Sequence, residues 1–368
     1  MSHKVSSCEV LVAGGGIIGA ACARSLAVRG LRVLLCEPGP DPTAASAASA
    51  GILGPQIEST DDSLRALGLR ARDLYERLAA ALAESTGIDV GFWRDGVASV
   101  AFSDDEAEQL REAVAHQRQA GLRCDWLEPE EVAERFPAIA PCRGALYAPE
   151  DGAIDAPALA RALRADAQRA GVKTVNARVN RLSTILGRAT GVETSAGKIK
   201  AEHVVIAAGA WSPQIEHLPR HLPVEPVRGQ MGAAPWPSNM PQTVLYHDHG
   251  YVLARRGEAI FGSTMEHVGF DGRVTESGIR AIVANARRLL PSLPEAPART
   301  WAGLRPVTPD GRPIIGPDPD VRGLWYATGH GRNGVLLAGL TGEIIADLAT
   351  TGSTEVEIAS LAPERFSS

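Results

Sequence analysis

The most constraining feature of the sequence is a run of three glycines between two apolar segments near the N-terminus. Residues 8–37 read CEVLVAGGGIIGAACARSLAVRGLRVLLCE. The apolar segment before the glycines predicts a strand, the alanine-rich segment after them predicts a helix that ends near Gly30, and the second apolar segment predicts another strand. A strand, a helix and a strand in this order form a βαβ unit, which is typical of α/β proteins.

Three glycines at the turn of this unit have the spacing of a nucleotide-binding motif. Gly14, Gly16 and Gly19 follow the pattern GxGxxG, in which glycine permits a tight turn and lets the backbone approach a pyrophosphate at the helix N-terminus. Glu37, 18 residues after Gly19, is placed to accept hydrogen bonds from an adenosine ribose. These residues predict dinucleotide binding, and a glycine-rich turn that binds nothing is the alternative.

The segment after Glu37 indicates which dinucleotide is bound. A carboxylate beside the ribose would repel a 2'-phosphate, so NADP is disfavoured while FAD and NAD remain. A nicotinamide enzyme would continue with another strand and helix, but residues 40–55 read PDPTAASAASAGILGP, a proline-flanked loop of small residues. The loop favours FAD, because the extended form of that cofactor needs loop contacts.

Length, charge and cysteine content narrow the class of protein. A chain of 368 residues with 45% hydrophobic and 22% charged residues favours a globular protein of two domains. The formal net charge of -6 gives no basic field for phosphate backbones, so a small-molecule partner is favoured over nucleic acid. The five cysteines are odd in number, widely spaced and without a CxxC pair, which indicates free thiols in a reducing compartment, the cytoplasm.

Two segments bear on export and on membranes. Lys4 precedes an apolar stretch that ends in small residues at 21–23, as in a secretory signal, but the three glycines would weaken its helix. No run of about 18 apolar residues occurs, and Glu343 and Asp347 interrupt the C-terminal apolar segment. We therefore expect a cytoplasmic protein without a membrane partner.

The rest of the chain alternates between α/β units and strand-rich segments. A helix capped by Asp155 leads to strands that end in HVVIAAGAW, and the strand GLWYATG leads to a final helix that ends near Ala349. Residues 221–300 show alternating strand patterns between these units. We predict that the nucleotide-binding domain is discontinuous and that a substrate domain is inserted in it. The first comprises residues 1–85, 144–218 and 299–368, and the second comprises residues 86–143 and 219–298.

Five segments, which together cover nearly the whole chain, resemble a known family. They are the N-terminal glycine motif, AASAASAGILGP, HVVIAAGAWS, WAGLRPVTPDGRPIIGP and ATGHGRNGVLLAGLTGEIIADL. The sequence resembles the FAD-dependent D-amino acid oxidase superfamily, most closely its glycine oxidase branch associated with thiamine biosynthesis. The resemblance implies an α/β fold with a Rossmann-like FAD-binding domain and an inserted antiparallel β-sheet substrate domain. It also implies a homo-oligomer, expected to be a tetramer.

The resemblance assigns four residues to the substrate site. Arg305, in the GLRP motif, would clamp the substrate carboxylate, which a guanidinium matches bidentately. Tyr251 would donate a hydrogen bond to this carboxylate, Met265 would line the pocket, and the backbone carbonyl of Arg332 would accept from the substrate amine. The alternatives are an ion pair between Arg305 and Asp310, core packing of Met265, and a solvated Arg332.

The segment HDHGYVL raises a further alternative. Read as one strand, it places His247, His249 and Tyr251 on one face, because side chains alternate. Two histidines at this spacing could begin a metal site, but no third ligand is suitably spaced. Core packing of His247 is therefore favoured, and no metal is expected.

For the cofactor, the resemblance adds residues from several loops to the glycine motif and Glu37. They are Ile17, Ile18, Ala45, Ser46, Ala50, Gly51, Ile52, Val179, Gly209, His330, Gly331, Asn333, Gly334, Val335 and Leu336. The N-terminus of the last helix would face the flavin pyrimidine ring and stabilise the anionic reduced flavin. Related sarcosine oxidases attach their flavin through a cysteine near the position of Arg305 and Val307. No cysteine follows Cys142 here, so non-covalent FAD is predicted.

These expectations converge on an FAD-dependent oxidase of a small amino acid or amine, such as glycine, sarcosine or D-alanine. We hypothesise hydride transfer from the substrate Cα to flavin N5, hydrolysis of the imine to an oxo acid and ammonia, and reoxidation by molecular oxygen to hydrogen peroxide. Two positions depart from the glycine oxidase pattern, since Gly331 stands where an aromatic residue is usual and Val307 stands where glycine is usual. Loss of the aromatic side chain could widen the pocket, so that sarcosine, D-alanine or a larger amine is preferred to glycine. The alternatives are a dehydrogenase of the same fold that reduces a quinone or protein acceptor, and an FAD-bound subunit without turnover.

Overall fold

The computed structural model describes residues 6–59, 61–248 and 250–366, which fold around two large β-sheets. In this part of the chain, strands β1–β18 are Ser6–Ala13, Val33–Glu37, Ile52–Leu53, Val97–Ala101, Asp125–Leu127, Gly144–Ala148, Gly152–Ala153, Lys173–Asn176, Val179–Ile185, Arg188–Thr194, Gly197–Ile206, Glu225–Pro235, Val244–His247, Gly250–Arg255, Glu258–Gly262, Arg299–Val307, Ile314–Pro317 and Leu324–Thr328. Helices α1–α10 are Ile17–Val28, Ala45–Ala48, Pro55–Glu58, Asp62–Asp73, Tyr75–Thr86, Asp104–Gln119, Pro129–Arg135, Ala156–Arg169, Glu276–Leu289 and Gly334–Thr351.

The first sheet contains the N-terminal βαβ unit. Its strand order is β17-β18-β11-β1-β2-β8, and the hairpin β9-β10 pairs with β11. Strand β1 is parallel to both neighbours, with Val12 opposite Leu35 of β2 and Val205 of β11. Helices α1, α8 and α10 pack their apolar side chains into one core with this sheet. The predicted βαβ unit and the mixed α/β fold are therefore confirmed.

The second sheet is almost entirely antiparallel. Its order is β16-β12-β15-β14-β13-β4-β6-β5, in which β4 and β13 form a parallel pair. Helix α9 contributes Ile282, Val283 and Ala286 to an apolar core with this sheet. The two-stranded pair β3-β7 lies apart from both sheets in the strand pairing.

Two strands lie in the second sheet although the predicted boundaries assigned their residues to the nucleotide-binding domain. Strand β6 pairs with β4 and β5, and strand β16 pairs with β12, where Arg305 is opposite Val227. The predicted boundaries followed motif and helix signals, whereas the partner of a strand depends on a register that these signals do not specify. The GLRP motif therefore belongs to the second sheet, not the first.

The structure corrects the expectation of one strand through HDHGYVL, residues 247–253. Strand β13 ends at His247, Asp248 has a φ of 50°, and β14 then returns so that Tyr246 pairs with Tyr251. His249 lies outside the described residues. The apolar alternation continues on both sides of the turn, which is why the sequence pattern resembles a single strand.

The last helix is long and apolar enough, by length and composition alone, to cross a membrane. The segment is Gly331–Thr351, and 61% of its most apolar window is buried inside the protein. Its apolar side chains, such as Leu340 and Ile344, pack in the core of the first sheet. A buried core helix passes the same test, so the segment is explained by its packing.

Candidate active site

A cavity of about 630 Å³ is lined by residues of both sheets. The first sheet and its loops contribute the β1–α1 turn, helix α2 and the start of α10, and the second sheet contributes parts of β12, β14 and β16. Cavities that bind organic ligands commonly measure about 300–1,000 Å³. The cavity therefore has the size of a site for a cofactor and a small substrate.

The glycine turn forms one wall of this cavity with its backbone. Gly14 has a φ of 106°, and a Cβ on it would lie 2.5 Å from the carbonyl oxygen of Ala207. A Cβ on Gly16 would lie 3.1 Å from Ser46 Oγ, which accepts a hydrogen bond from the Ile17 N–H at 2.8 Å. The turn thus presents bare backbone at the N-terminus of α1, which is the arrangement that binds pyrophosphate groups.

Glu37 lies beside the glycine turn, as the motif predicted. Its Oε2 accepts a hydrogen bond from the Gly15 N–H at 2.5 Å. Burial raises the pKa of this carboxyl, and the Gly15 N–H opposes the rise. Glu37 lines the cavity together with Arg178 and Val179, so an acceptor is present where a ribose of a bound dinucleotide would lie.

Most of the predicted cofactor residues lie in the cavity wall. These are Gly14, Gly16, Ile17, Ile18, Glu37, Ala45, Ser46, Ala50, Gly51, Ile52, Val179, Gly209, His330, Gly331, Gly334 and Val335. The bare glycine turn and the acceptor beside it suit an extended dinucleotide, so the residues present fit FAD.

Three predicted cofactor residues lie behind the wall instead. A Cβ on Gly19 would lie 1.8 Å from the Gly14 carbonyl oxygen, so this glycine allows α1 to pack closely on the turn. Leu336 packs in the core of the first sheet. Asn333 is buried, and its backbone N–H donates to the His330 carbonyl. The predicted loops thus line the cavity, whereas the side chains of these three residues lie outside its lining.

Arg305 lies in the cavity wall without a carboxylate partner among the described residues. Its Nη2 donates to Ser263 Oγ at 3.0 Å, and its Nη1 approaches Met265 Sδ at 2.9 Å. Asp310, the alternative partner, instead binds Arg365 at 2.7 Å. Burial lowers the pKa of Arg305. The structure therefore presents an uncompensated, half-buried cation to the cavity, which is a suitable site for an anionic ligand.

Tyr251 lies in the same wall, close to Arg305. Burial raises the pKa of its phenol to about 12, although the nearby guanidinium opposes the rise. The phenol is neutral below that value, so its hydroxyl is available as a donor. In this structure it donates weakly to Met231 Sδ at 3.4 Å.

Arg332 is paired with a carboxylate that the sequence did not single out. Its Nε lies 3.4 Å from Oε1 of Glu58, whose side chain is only 7% exposed. Both residues line the cavity, and the Glu58 carboxylate raises the pKa of Arg332. Tyr246 lies nearby with a buried hydroxyl, and burial raises its pKa well above the usual value, with the Glu58 carboxylate adding to the rise. Arg332 and Glu58 therefore add little net charge to the cavity.

Met265 lies at the rim of the site rather than in the core. It is 58% exposed, and its sulfur contacts the guanidinium of Arg305. Phe270, in the same loop, is 44% exposed, and its ring lies 5.7 Å from that of Trp211, which lines the cavity. The loop after β15 thus gives the cavity mouth an apolar edge.

His247 and His330 are both buried and contact protein groups. Burial lowers the pKa of His330 to about 3, so it is neutral, and its Nε2 lies 3.1 Å from Thr341 Oγ1. His247 is buried, with Nδ1 3.2 Å from the Val100 carbonyl oxygen and its ring edge-on to Phe102. No group of three or more potential metal ligands occurs among the described residues.

Sequence reasoning missed Glu58, Ser263 and Gly229. Glu58 follows the small-residue loop but belongs to no recognisable motif, so the sequence alone did not indicate a role for it. Gly229 lies opposite Gly303 across β12 and β16, and a Cβ on it would lie 2.8 Å from Arg305 Nη2. Such a relation across strands needs the pairing register, which the sequence does not provide.

Comparisons with known proteins show which proteins this chain is similar to. The family model described as DAO, FAD dependent oxidoreductase, matches residues 9–348. The glycine oxidase of Geobacillus kaustophilus (strain HTA426) is 36% identical over 98% of this chain and 96% of its own length. The bifunctional protein ThiO/ThiG of Trichormus variabilis is 36% identical over 92% of this chain, which spans 52% of that protein. The crystal structure of glycine oxidase from Geobacillus kaustophilus superposes with a TM-score of 0.92, at 35% identity, over 97% of this chain and 98% of that one.

Proposed function

The chain belongs to the family of FAD-dependent oxidoreductases, and we propose that it is an oxidase of glycine or another small amino acid or amine. The proposed products are the oxo acid, ammonia and hydrogen peroxide, with molecular oxygen as the electron acceptor. The observation that carries the proposal is Arg305, a cation in the cavity wall that has no carboxylate partner among the described residues.

Arg305 and Tyr251 would hold the carboxylate of the substrate. A guanidinium and a carboxylate form two parallel charge-assisted hydrogen bonds, which fix the orientation as well as the position of the ligand. The neutral phenol of Tyr251 would donate a third hydrogen bond. Together they would leave the amine and the Cα of a small amino acid as the groups facing the rest of the cavity.

Glu58 would set the charge at the amine end of the substrate. Without it, Arg332 would be an unpaired cation that repels an ammonium group and competes with Arg305 for the carboxylate. With the pair formed, Arg305 would be the anion site beside Tyr251, and the backbone carbonyl of Arg332 would accept from the amine. The arrangement thus favours a single binding direction for a zwitterion.

FAD would be held by the glycine turn, Glu37 and the start of α10, and when bound it supplies the two-electron oxidation of the carbon–nitrogen bond. The chain's own contribution is orientation and control of charge. The amine must be neutral to release its Cα hydrogen as hydride, so turnover should rise with pH. Below about pH 12, Tyr251 would remain a donor and would not limit this rise.

The proposal also covers the cellular compartment and the oligomeric state of the protein. Five free cysteines, two of them incompletely buried, are suited to a reducing cytoplasm. A homo-oligomer is proposed from the family resemblance.

An anaerobic titration tests the proposed function. Purified yellow protein is mixed in turn with glycine, sarcosine, D-alanine and D-proline, and flavin absorbance is followed. Bleaching by a small amine and recovery with peroxide release on adding air are expected. Bleaching without peroxide would indicate a dehydrogenase with another acceptor, and absence of bleaching by every amine would contradict catalysis of this reaction.

A further inference from the structure

The short helix α3 carries Glu58 and is held in place by the hydrogen bonds of Gln56. The Gln56 side chain accepts from Arg72 Nη1 at 3.1 Å and donates to Gln117 Oε1 at 2.9 Å and to the Arg123 carbonyl at 3.0 Å. Its backbone N–H donates to Asp151 Oδ2 at 3.0 Å, and its carbonyl accepts from Gln117 Nε2 at 2.9 Å. Every polar group of this residue is therefore used.

Two of the partners of Gln56, Arg72 and Asp151, form a buried ion pair. Arg72 Nη1 lies 2.9 Å from Asp151 Oδ1, and the two side chains are 3% and 0% exposed. Arg72 also contacts Asp73 at 3.0 Å and Glu150 at 3.1 Å. The guanidinium therefore remains compensated when Asp151 alone is changed.

These residues come from separate parts of the fold. Arg72 is in α4, Gln117 is in α6, and Asp151 is in the connection between β6 and β7. They converge on a helix of only four residues, in which the Ile57 and Glu58 N–H groups both donate to the Gly54 carbonyl. So short a helix is not stable by itself, and its orientation must come from its tertiary contacts.

A buried ion pair is an inefficient way to gain stability, because removing two charges from water costs about as much as their attraction returns. Its directional bonds nevertheless allow few arrangements. A cluster of this kind, two residues from an active-site carboxylate, is suited to holding that carboxylate in place.

We propose that Arg72, Asp151 and Gln56 are positioning residues that hold Glu58 against Arg332 and so define the amine end of the substrate site. The inference rests on the proposed function, since it assigns a purpose to the amine end of that same cavity. The cluster acts through Glu58 alone, so its effect should disappear when Glu58 is already neutral.

A double-mutant cycle tests this proposal on the FAD-bound protein. Asp151→Asn, Glu58→Gln and the double variant are compared for kcat/KM with glycine or with the best amine found. Asp151→Asn is expected to lower kcat/KM at least fivefold, and the double variant is expected to match Glu58→Gln. Multiplication of the two single effects would overturn the proposal.

A second readout separates positioning from general damage. Acetate has a carboxylate and no amine, so its dissociation constant, measured by the change in flavin absorbance, should be unchanged in Asp151→Asn. Glycine binding should weaken in the same variant. Equal weakening of acetate and glycine would overturn the proposal. The wild-type turnover assay reports separately on the proposed function, because both ligands can be measured by binding alone.

Two further variants complete the experiment. Asp318→Asn is the matched control, since Asp318 is a buried acid 2.7 Å from Arg220 outside the cavity wall. It should lower thermal stability without changing the ratio of glycine to acetate affinity. If Asp151→Asn does not fold, Gln56→Met removes the side-chain bonds of Gln56 to Arg72, Gln117 and Arg123 without changing charge. It should give the same selective loss, and an unchanged ratio in that variant would overturn the proposal.

Discussion

Gly229 makes room for the guanidinium of Arg305. A Cβ built on Gly229 would lie 2.8 Å from Nη2 and 3.4 Å from Nη1 of that side chain. The two residues are on the paired strands β12 and β16. Glycine at this position therefore lets the guanidinium lie against the sheet, where Ser263 and Met265 contact it.

Gly229→Ala is expected to displace the guanidinium and weaken substrate binding. Loss of one hydrogen bond to a charged group costs about 1.5–3 kcal/mol, which corresponds to a rise in KM of about 10- to 150-fold. Steady-state kinetics with glycine would measure this rise in KM. Gly339→Ala is the control, because a Cβ there meets only the end of the Leu78 side chain, at 3.1 Å. An unchanged KM in Gly229→Ala would show that the guanidinium adjusts without loss.

Arg305→Ala should remove most of the catalytic efficiency while the protein stays yellow. Removing one partner of a buried charged pair costs about 2–5 kcal/mol, or about 30-fold to several thousandfold in kcat/KM. Arg299→Ala, on the same strand, is the matched control, because its ion pair with Glu258 is exposed. Retention of kcat/KM in Arg305→Ala would rule out this residue as the carboxylate site.

Glu58→Gln should move the pH dependence of turnover to lower pH. A nearby carboxylate stabilises the ammonium form of the substrate, and an uncompensated Arg332 destabilises it, so both changes lower the pKa of the bound amine. The rise of kcat/KM is expected about one pH unit earlier than in the wild type. Profiles measured with one amine over pH 6–10 would show this shift, and a shift to higher pH would contradict the assigned role.

The sequence predicted the first sheet better than the second. The βαβ unit and the cap of Asp155 on α8 both depend on residues close in sequence, and the structure has each of them. The placement of β6 and β16 depends on long-range pairing, and there the predicted boundaries and the structure differ.

In the candidate site, too, features that depend on local sequence were predicted and features that depend on long-range contacts were not. Arg305, Tyr251 and the glycine turn were predicted from local motifs, and all of them line the cavity. Glu58 was not found, because its role comes from a contact with Arg332, which is distant in the chain, and from a helix held by tertiary bonds. Local patterns cannot contain such relations, and only the packed structure brings them together.

The loop that carries Met265 should lose stability in acid through its neighbour Glu266. Hydrogen bonds from Arg228 lower the pKa of Glu266 to about 2, assisted by Gln230 and Thr264. Because this value is below the usual 4.5, the pair stabilises the fold above about pH 4.5, and its contribution is lost as the pH falls toward 2.

Glu266→Gln should therefore reduce the free energy of unfolding by about 1–3 kcal/mol at pH 7 and have a smaller effect at pH 3. Thermal unfolding of the wild type and the variant between pH 3 and pH 7 would measure the loss of stability at each pH. Glu276→Gln, which removes an exposed pair with Arg280, is the control and should change stability by less than about 0.5 kcal/mol. Equal destabilisation at both pH values would refute the linkage.

Gly331 is expected to determine how large an amine the cavity accepts. It lines the cavity with a φ of 54°, and a Cβ built on it meets no atom within 4 Å. Glycine oxidases, which the sequence resembles, usually have an aromatic residue at this position, and Gly331 leaves the space of that side chain open. The wild type should therefore use sarcosine or D-proline at least as well as glycine.

Gly331→Phe should restore the preference for glycine, because a side chain that fills the space excludes the larger amines. A mismatch of about one methylene group is worth about 1–3 kcal/mol, so the ratio of kcat/KM for D-proline to that for glycine should fall about 10-fold or more. Gly331→Ala is the matched control, since it carries the same left-handed backbone cost of about 1–2 kcal/mol without the bulk. If Ala and Phe change the ratio equally, backbone strain rather than volume is responsible, and Gly331 does not set substrate size.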